Sequence, residues 1–224
     1  DSAINGLLQS LDPYSAYLSP EDLKLGRESK EINSKLSYNN LGDGVTFMTE
    51  PFLEDTEITG PVASKLFLSS ETEDVDLFLI LRLFNEEEQE ITFQGALDPK
   101  TPLAQGWLRA SHRRIDNHLS KPYRPYHTHN KVELLIPKKV YEVDIEIWPT
   151  SIVVPKKYKI GLSIKGQDYV NQSGSGSTLP NMNKFSGCGP FLHDDPNDRP
   201  DDIFGKETTL HFSIDKKPYL LLPI

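Results

Sequence analysis

The densest group of polar residues that could do chemistry lies near the end of the chain. It combines an imidazole, three carboxylates and a guanidinium, from His193, Asp194, Asp195, Asp198 and Arg199. A histidine beside a carboxylate is part of a serine hydrolase triad, but this segment has no serine. A calcium loop would alternate acidic oxygens around a glycine turn, whereas prolines interrupt this segment. The pattern favours a loop pinned by two-point bonds from Arg199 to a carboxylate, and the alternative is a place beside a neighbouring active site.

Neither a serine nor a cysteine has the surroundings that a nucleophile needs. The string nearest to a G-x-S-x-G nucleophile elbow is Ser173-Gly-Ser-Gly-Ser177, which does not match and has no amphipathic helix after it. Its composition is typical of a flexible linker. Cys188 lies between two glycines, with only His193 close by in sequence, so we expect a buried, inert thiol. We therefore assign no catalytic residue to this chain.

Three of the six histidines, His118, His127 and His129, fall in one long loop. Histidines at i and i+2 of a strand share a face, but zinc needs at least one more ligand. No nearby cysteine or glutamate completes a standard spacing. We therefore expect no metal and no other cofactor, and we expect these imidazoles to form hydrogen bonds across the loop.

A basic cluster and two tryptophans are candidates for recognition. The cluster comprises Arg109, His112, Arg113 and Arg114. Acidic residues lie close to it in sequence, which favours a paired structural cluster. Trp107 and Trp148 could form a platform for sugar stacking, although core packing or a contact between domains is the expected use of both.

The elements that position these residues show a two-residue periodicity from residue 45 onward. In residues 141–148, Val143, Ile145 and Ile147 alternate with acidic side chains, as in a strand with one dry and one wet face. Residues 76–84 are almost continuously apolar, as expected of a strand covered on both faces. Other candidate strands are 62–69, 91–94, 107–113, 152–154, 158–164, 208–214 and 219–222. Strands separated by turn residues, without long helices between them, predict an all-β sandwich or jelly roll.

The first 40 residues have a different pattern, which predicts a helical extension and a linker. Apolar residues lie on one helical face up to Leu11, and Asp12-Pro13 ends that helix. Ser19-Pro20 begins a second, short helix. The expected organisation is an extension over residues 1–40 and a sandwich over residues 41–224. The lack of an initiating Met is expected of a fragment or a processed chain.

Composition excludes several classes of partner. The sequence has no basic stripe of the kind that nucleic-acid-binding proteins carry. Its net charge of −9 disfavours binding to anionic membranes. No apolar run approaches the roughly 18 residues that span a bilayer. A single cysteine allows no disulfide within the chain and favours a reducing compartment such as the cytoplasm. We therefore expect no nucleic acid and no membrane as partners.

Eight segments, which follow one another in a fixed order, carry a resemblance to a known family. They include Gly106-Trp-Leu-Arg-Ala-Ser-His-Arg113 and Gly187-Cys-Gly-Pro-Phe-Leu-His-Asp194, together with 41–47, 54–61, 94–99, 122–127, 146–151 and 219–223. Through them, residues 41–224 resemble the C-terminal domain of Xaa-Pro dipeptidyl-peptidases and cocaine-esterase (CocE/NonD) serine hydrolases. The resemblance is specific, because many motifs keep their order and spacing.

The resemblance implies a jelly-roll β-sandwich, similar to galactose-binding domains, that packs on an α/β-hydrolase domain with a Ser-Asp-His triad. Substrates in the family are N-terminal Xaa-Pro peptides or small esters and amides. This chain holds no hydrolase domain, so the resemblance implies activity for a full-length parent only. A homo-oligomer is a further candidate assembly, and a carbohydrate-binding module with the same architecture is the alternative function. The residues expected to line the cleft or the domain interface are Trp107, Arg109, His112, His127, His193, Asp194 and Arg199.

Residues 3–23 have a second, shorter resemblance, to the N-terminal helical segment of carboxy-terminal processing proteases. It rests on residues 3–13 and 17–22. Neither the peptide-binding domain nor the Ser-Lys pair of those proteases is present. The alternatives are a chance similarity in an amphipathic helix and a fused segment.

Overall fold

The computed structural model describes residues 33–95, 98–171, 185–190 and 192–224. Within these ranges the secondary structure is almost entirely β, which confirms the predicted all-β sandwich. The strands are β1 (Ser34–Asn39), β2 (Val45–Met48), β3 (Thr56–Ser70), β4 (Asp76–Phe84), β5 (Glu90–Ile91), β6 (Ala104–Arg109), β7 (Tyr141–Val154), β8 (Lys159–Lys165), β9 (Glu207–Phe212) and β10 (Tyr219–Leu221). A 3₁₀ turn covers Ala110–His112, and a short helix, α1, covers Asp201–Phe204.

The strands form two five-stranded sheets in which the pairs are antiparallel. In the first sheet, β9 lies between β1 and β3, and β3 also pairs with β7 and β10. In the second sheet, β4 is central. It pairs with β8 along one edge and with β5 and β6 along the other, and β2 pairs with β8.

The two sheets enclose one apolar core. β4 contributes Leu77, Leu79 and Leu81, and β7 contributes Ile145 and Ile147, all of them buried. On β7 the acidic residues Glu142, Asp144 and Glu146 alternate with buried apolar residues and point away from the core, which confirms the predicted alternation.

The second sheet is also covered on its outer face, as the continuous apolar sequence of β4 predicts. Phe78 and Ile80 point outward from β4 and pack with Tyr169, and Trp107 packs against this group. Residues 168–171 lie over the same face, with residues 185–190 and 192–199 beside them, since Tyr169 and His193 contact Phe78 and the Asn171 N–H donates to the Ser186 carbonyl. This added layer carries the polar residues of the candidate site.

Several predicted strands have different bounds in the structure. Of the strand predicted at residues 91–94, for example, only Ile91 belongs to β5. The separate strand predicted at residues 152–154 is the end of β7, which continues through Pro149. Pro149 is tolerated because β7 pairs, among the described residues, with β3 alone and is an edge strand. The strand predicted at residues 107–113 ends at Arg109, where the 3₁₀ turn begins.

The predicted helices fall on residues 1–32, outside the described residues. β1 begins at Ser34 and pairs with β9 along its whole length, so the first sheet starts before residue 41, where we expected the sandwich to begin. Among the described residues, no helix is long and apolar enough to cross a bilayer.

Candidate functional site

A cleft of about 350 Å³ lies on the outer face of the second sheet, beside the start of β4 and the end of β6. The polar and aromatic side chains that line it are Asp76, Phe78, Trp107, Arg109, His112, His127, His129, His193, Asp198 and Arg199. We call the part around Asp76 and its arginines the ionic end. We call the group of His112, His127 and His129 the histidine end.

At the ionic end, one carboxylate is shared by two guanidinium groups. Arg109 Nε and Nη2 donate to the two oxygens of Asp76 at 2.8 and 2.9 Å. Arg199 Nε donates to Asp76 Oδ2 at 2.7 Å. The side chains of Asp76 and Arg199 are each only 10% exposed. Charge-assisted bonds of this kind hold both arginines in fixed positions.

The other nitrogens of the two guanidinium groups also have acceptors. Arg109 Nη1 and Nη2 each donate to a carboxylate oxygen of Asp198 at 2.9 Å. Arg199 donates to the backbone carbonyls of Gly166 and His193. Each nitrogen of the two guanidinium groups therefore has at least one hydrogen-bond acceptor.

The charge at the ionic end is balanced, because two arginines face two carboxylates. The hydrogen bonds to Asp76 raise the pKa of the Arg109 guanidinium above its ordinary value. The hydrogen bond from Arg109 lowers the pKa of the Asp198 carboxyl group. This end is therefore a closed ion-pair network and not a vacant site for an anionic ligand.

His193 is held by a carboxylate that the sequence did not indicate. Its Nδ1 lies 2.9 Å from Asp168 Oδ1, and its backbone N–H donates to Asp168 Oδ2 at 2.6 Å. The ring lies edge-on to Phe78, with 5.4 Å between ring centres. Asp194, the carboxylate next to His193 in the sequence, is exposed and lines a neighbouring pocket. The pair has the arrangement of a base and its orienting acid, but no hydroxyl or thiol of the described residues bonds the ring.

At the histidine end, imidazoles from the 3₁₀ turn and from the loop before β7 face each other. His112 Nδ1 and His129 Nδ1 are 3.3 Å apart. The ring centre of His127 lies 5.9 Å from that of His129. The Nε2 atom of His127 is buried without a partner among the described atoms. Burial lowers the pKa of the His127 imidazole below its ordinary value, and the backbone of Asp144 acts in the opposite direction.

The two tryptophans meet beside the cleft at a point where the two sheets approach closely. A Cβ atom on Gly106 would lie 2.3 Å from the Glu146 carbonyl oxygen, so only glycine lets β6 pass this close to β7. Trp107 of β6 and Trp148 of β7 then contact edge to face, with ring centres 5.0 Å apart. Trp148 is 58% exposed, so it lies outside the core.

A comparison with protein families decides which domain this is. The family model of the X-Pro dipeptidyl-peptidase C-terminal non-catalytic domain matches residues 6–198. The chain belongs to this family. The resemblance predicted from the sequence is thereby confirmed, and the match also extends into the first 40 residues.

Similar proteins are much longer than this X-Pro dipeptidyl-peptidase C-terminal domain. A crystal structure of a CocE/NonD family hydrolase from Staphylococcus aureus superposes with a TM-score of 0.70 at 22% identity, covering 86% of this chain and 33% of that one. Two curated proteins, provisionally named serine esterases, come from Mycobacterium bovis and Mycobacterium tuberculosis. Each is 28% identical over 132 residues, which is 55% of this chain and 19% of the relative. The chain spans about a fifth of these curated relatives.

This family member gathers six of the seven predicted site residues into one cleft. They are Trp107, Arg109, His112, His127, His193 and Arg199, whereas Asp194 lines the neighbouring pocket. Sequence reasoning missed Asp76 and Asp168. Asp76 is an acidic residue at the start of an almost continuously apolar strand, which could have marked it as a site residue. Nothing in the sequence marks Asp168. The structure also groups His127 and His129 with His112, and not with His118 as we had considered.

Of the remaining candidate nucleophiles the structure describes Cys188, which is partly buried and not fully buried as we expected. The serines at residues 173–177 lie outside the described residues. Burial, reinforced by the nearby carboxylates of Asp168 and Asp98, raises the pKa of the Cys188 thiol to about 11. The thiol is therefore protonated at neutral pH and a weak nucleophile.

Proposed function

We propose that this domain packs on the α/β-hydrolase domain of a longer serine hydrolase and forms one wall of its substrate cleft. The observation that carries the proposal is membership of a family described as non-catalytic. Because the relatives are several times longer than the region they share with this chain, they have room for a catalytic domain. On this proposal the chain alone has no hydrolase activity, and the parent cleaves Xaa-Pro peptides or small esters and amides.

An exposed apolar surface near the histidine end supports a domain interface there. Val132, Leu134 and Ile136 are 57%, 51% and 60% exposed. Their segment is fixed to the 3₁₀ turn, because the Glu133 N–H donates to the Ser111 carbonyl at 2.8 Å. We call these three side chains the apolar ridge. Neighbouring exposed apolar side chains are typical of a surface that another protein covers.

The apolar ridge lies next to the cleft, because the 3₁₀ turn carries both Ser111, which bonds the ridge segment, and His112, which lines the cleft. A hydrolase domain seated on the ridge would face the cleft and its predicted lining, from Trp107 to Arg199. The balanced ion pairs would give that domain a rigid wall, which is what positioning a substrate requires. The cleft-lining role of these side chains is part of the proposal.

The decisive experiment measures association with the parent's hydrolase domain. Replacing Leu134 and Ile136 together by Asp places charge on the ridge. The matched control makes the same change to Asp at Leu53 and Val153, which are 87% and 57% exposed at the other end of the sandwich. We expect the ridge variant to bind at least about tenfold more weakly and to lower the kcat/KM for an Xaa-Pro p-nitroanilide, because interface centres dominate affinity.

Three outcomes would contradict the proposal. Turnover of the p-nitroanilide by the chain alone would overturn its non-catalytic character. Equal association of the ridge and control variants would remove the ridge from the interface. If the ridge variant lost self-association but still bound the hydrolase domain normally, the ridge would be the interface of a homo-oligomer.

A second candidate function, carbohydrate binding on the same fold, is favoured by the exposure of Trp148 beside Trp107. An exposed indole has an apolar face and a polar N–H, which suits a sugar ring. A glycan array with the unmodified chain and with Trp148→Ala tests it. Binding that is lost in the variant would support this function, and a blank array would rule against it.

A further inference from the structure

His112 and His129 have the spacing of two ligands on one metal ion. Their Nδ1 atoms lie 3.3 Å apart, with ring centres 5.4 Å apart. On tetrahedral zinc, two imidazole nitrogens that are each about 2.0–2.1 Å from the ion lie about 3.4 Å from each other. The spacing of the two nitrogens therefore suits one ion held by both rings.

His127 supplies a third imidazole nitrogen beside this couple. Its ring centre lies 5.9 Å from that of His129, and its Nε2 is buried without a partner among the described atoms. A buried polar atom without a partner is unfavourable, so a ligand for this nitrogen stabilises the fold.

We propose that the histidine end binds a borderline divalent metal ion such as Zn²⁺, with His112 and His129 as a two-nitrogen clamp that His127 completes. In the ranges described, no three histidine, cysteine, aspartate or glutamate side chains already surround one point. The exposed His129 side chain therefore turns when the ion binds. Arg109 lines the same cleft, but its charge is neutralised by two carboxylates. Imidazole ligands favour zinc, copper and nickel over magnesium or calcium.

The experiment uses the full 224-residue chain without an affinity tag. Zn²⁺ is titrated in competition with a chromophoric chelator, and Co²⁺ is added as a spectroscopic probe of nitrogen ligation. We expect one equivalent of Zn²⁺ to bind. His112→Ala, His127→Ala and His129→Ala should each weaken binding by at least about tenfold, since even an outer-shell partner is worth that much. His118→Ala is the matched control, because His118 lies in the same loop but outside the cluster.

Two controls distinguish loss of the fold from loss of a metal ligand. The His129 side chain is exposed, so His129→Ala should fold, and the thermal unfolding of each metal-free variant checks its fold. Zn²⁺ should raise the Tm of the unmodified chain and of His118→Ala, but not that of His129→Ala. No saturable binding below about 1 mM Zn²⁺ would overturn the proposal and leave the His112–His129 contact as a hydrogen bond between the two rings. Binding that survives in His129→Ala would overturn it equally. Neither result depends on the proposed packing against a hydrolase domain.

Discussion

The ionic end and the histidine end lie in one cleft but differ in how fully their polar groups are bonded. At the ionic end, Asp76 accepts bonds from Arg109 and Arg199, and every nitrogen of the two guanidinium groups has an oxygen acceptor. At the histidine end, a buried nitrogen of His127 has no partner among the described atoms. A network of paired charges fixes structure, whereas a buried nitrogen without a partner gains a bond when a ligand binds it. We therefore assign support of the cleft to the first end and binding to the second.

The strongest test of this contrast is Asp76→Asn. The substitution keeps the size of the side chain but leaves the charges of Arg109 and Arg199 without their shared, buried carboxylate. Breaking a buried pair from one side costs about 3–5 kcal/mol of folding free energy. We expect a loss of that size in urea denaturation followed by tryptophan fluorescence.

Asp198→Asn is the matched control, because it removes the other carboxylate bonded to Arg109. The Asp198 side chain is 63% exposed, and exposed ion pairs contribute about 0–1 kcal/mol. Equal losses in Asp76→Asn and Asp198→Asn would show that burial does not distinguish the two carboxylates. The ionic end would then not be the rigid part of the cleft.

The next largest effect is expected at the His193–Asp168 pair, which lies beside the ionic end. Asp168→Asn replaces a charged acceptor of two hydrogen bonds, one from the His193 ring and one from its backbone N–H. Hydrogen bonds to a charged group contribute about 1.5–3 kcal/mol. We expect a loss of folding free energy in this range and a change in the chemical shifts of the His193 ring in NMR spectra.

Asp194→Asn is the control for this pair. Asp194 is the residue that adjacency in sequence favoured, yet it is exposed and lines another pocket. Surface substitutions usually change stability by less than about 0.5 kcal/mol. If Asp194→Asn perturbed the His193 signals and Asp168→Asn did not, the pairing in the structure would be wrong.

Sequence reasoning succeeded for the fold because each strand carries its own local pattern. The alternation around Ile145 and the apolar run of β4 each report burial directly. Reasoning from sequence also named most of the cleft-lining residues, since the family motifs contain them. It failed for partners: Asp168 meets His193 across 25 residues, and Asp76 meets Arg199 across 123. Such pairs are set by how segments fold over the outer face, and no local periodicity reports that.

The smallest effect is expected at the histidine end without metal. His129 is exposed, and among the described residues its ring bonds only another imidazole, so His129→Ala removes little that the fold needs. Surface substitutions of this kind change stability by less than about 0.5 kcal/mol. Urea denaturation in the presence of a chelator measures this value, beside Asp76→Asn under the same conditions. A loss for His129→Ala close to that of Asp76→Asn would mean that both ends support the structure equally. The missing hydrogen bond at His127 would then not distinguish an end of the cleft that binds a ligand from an end that supports the structure.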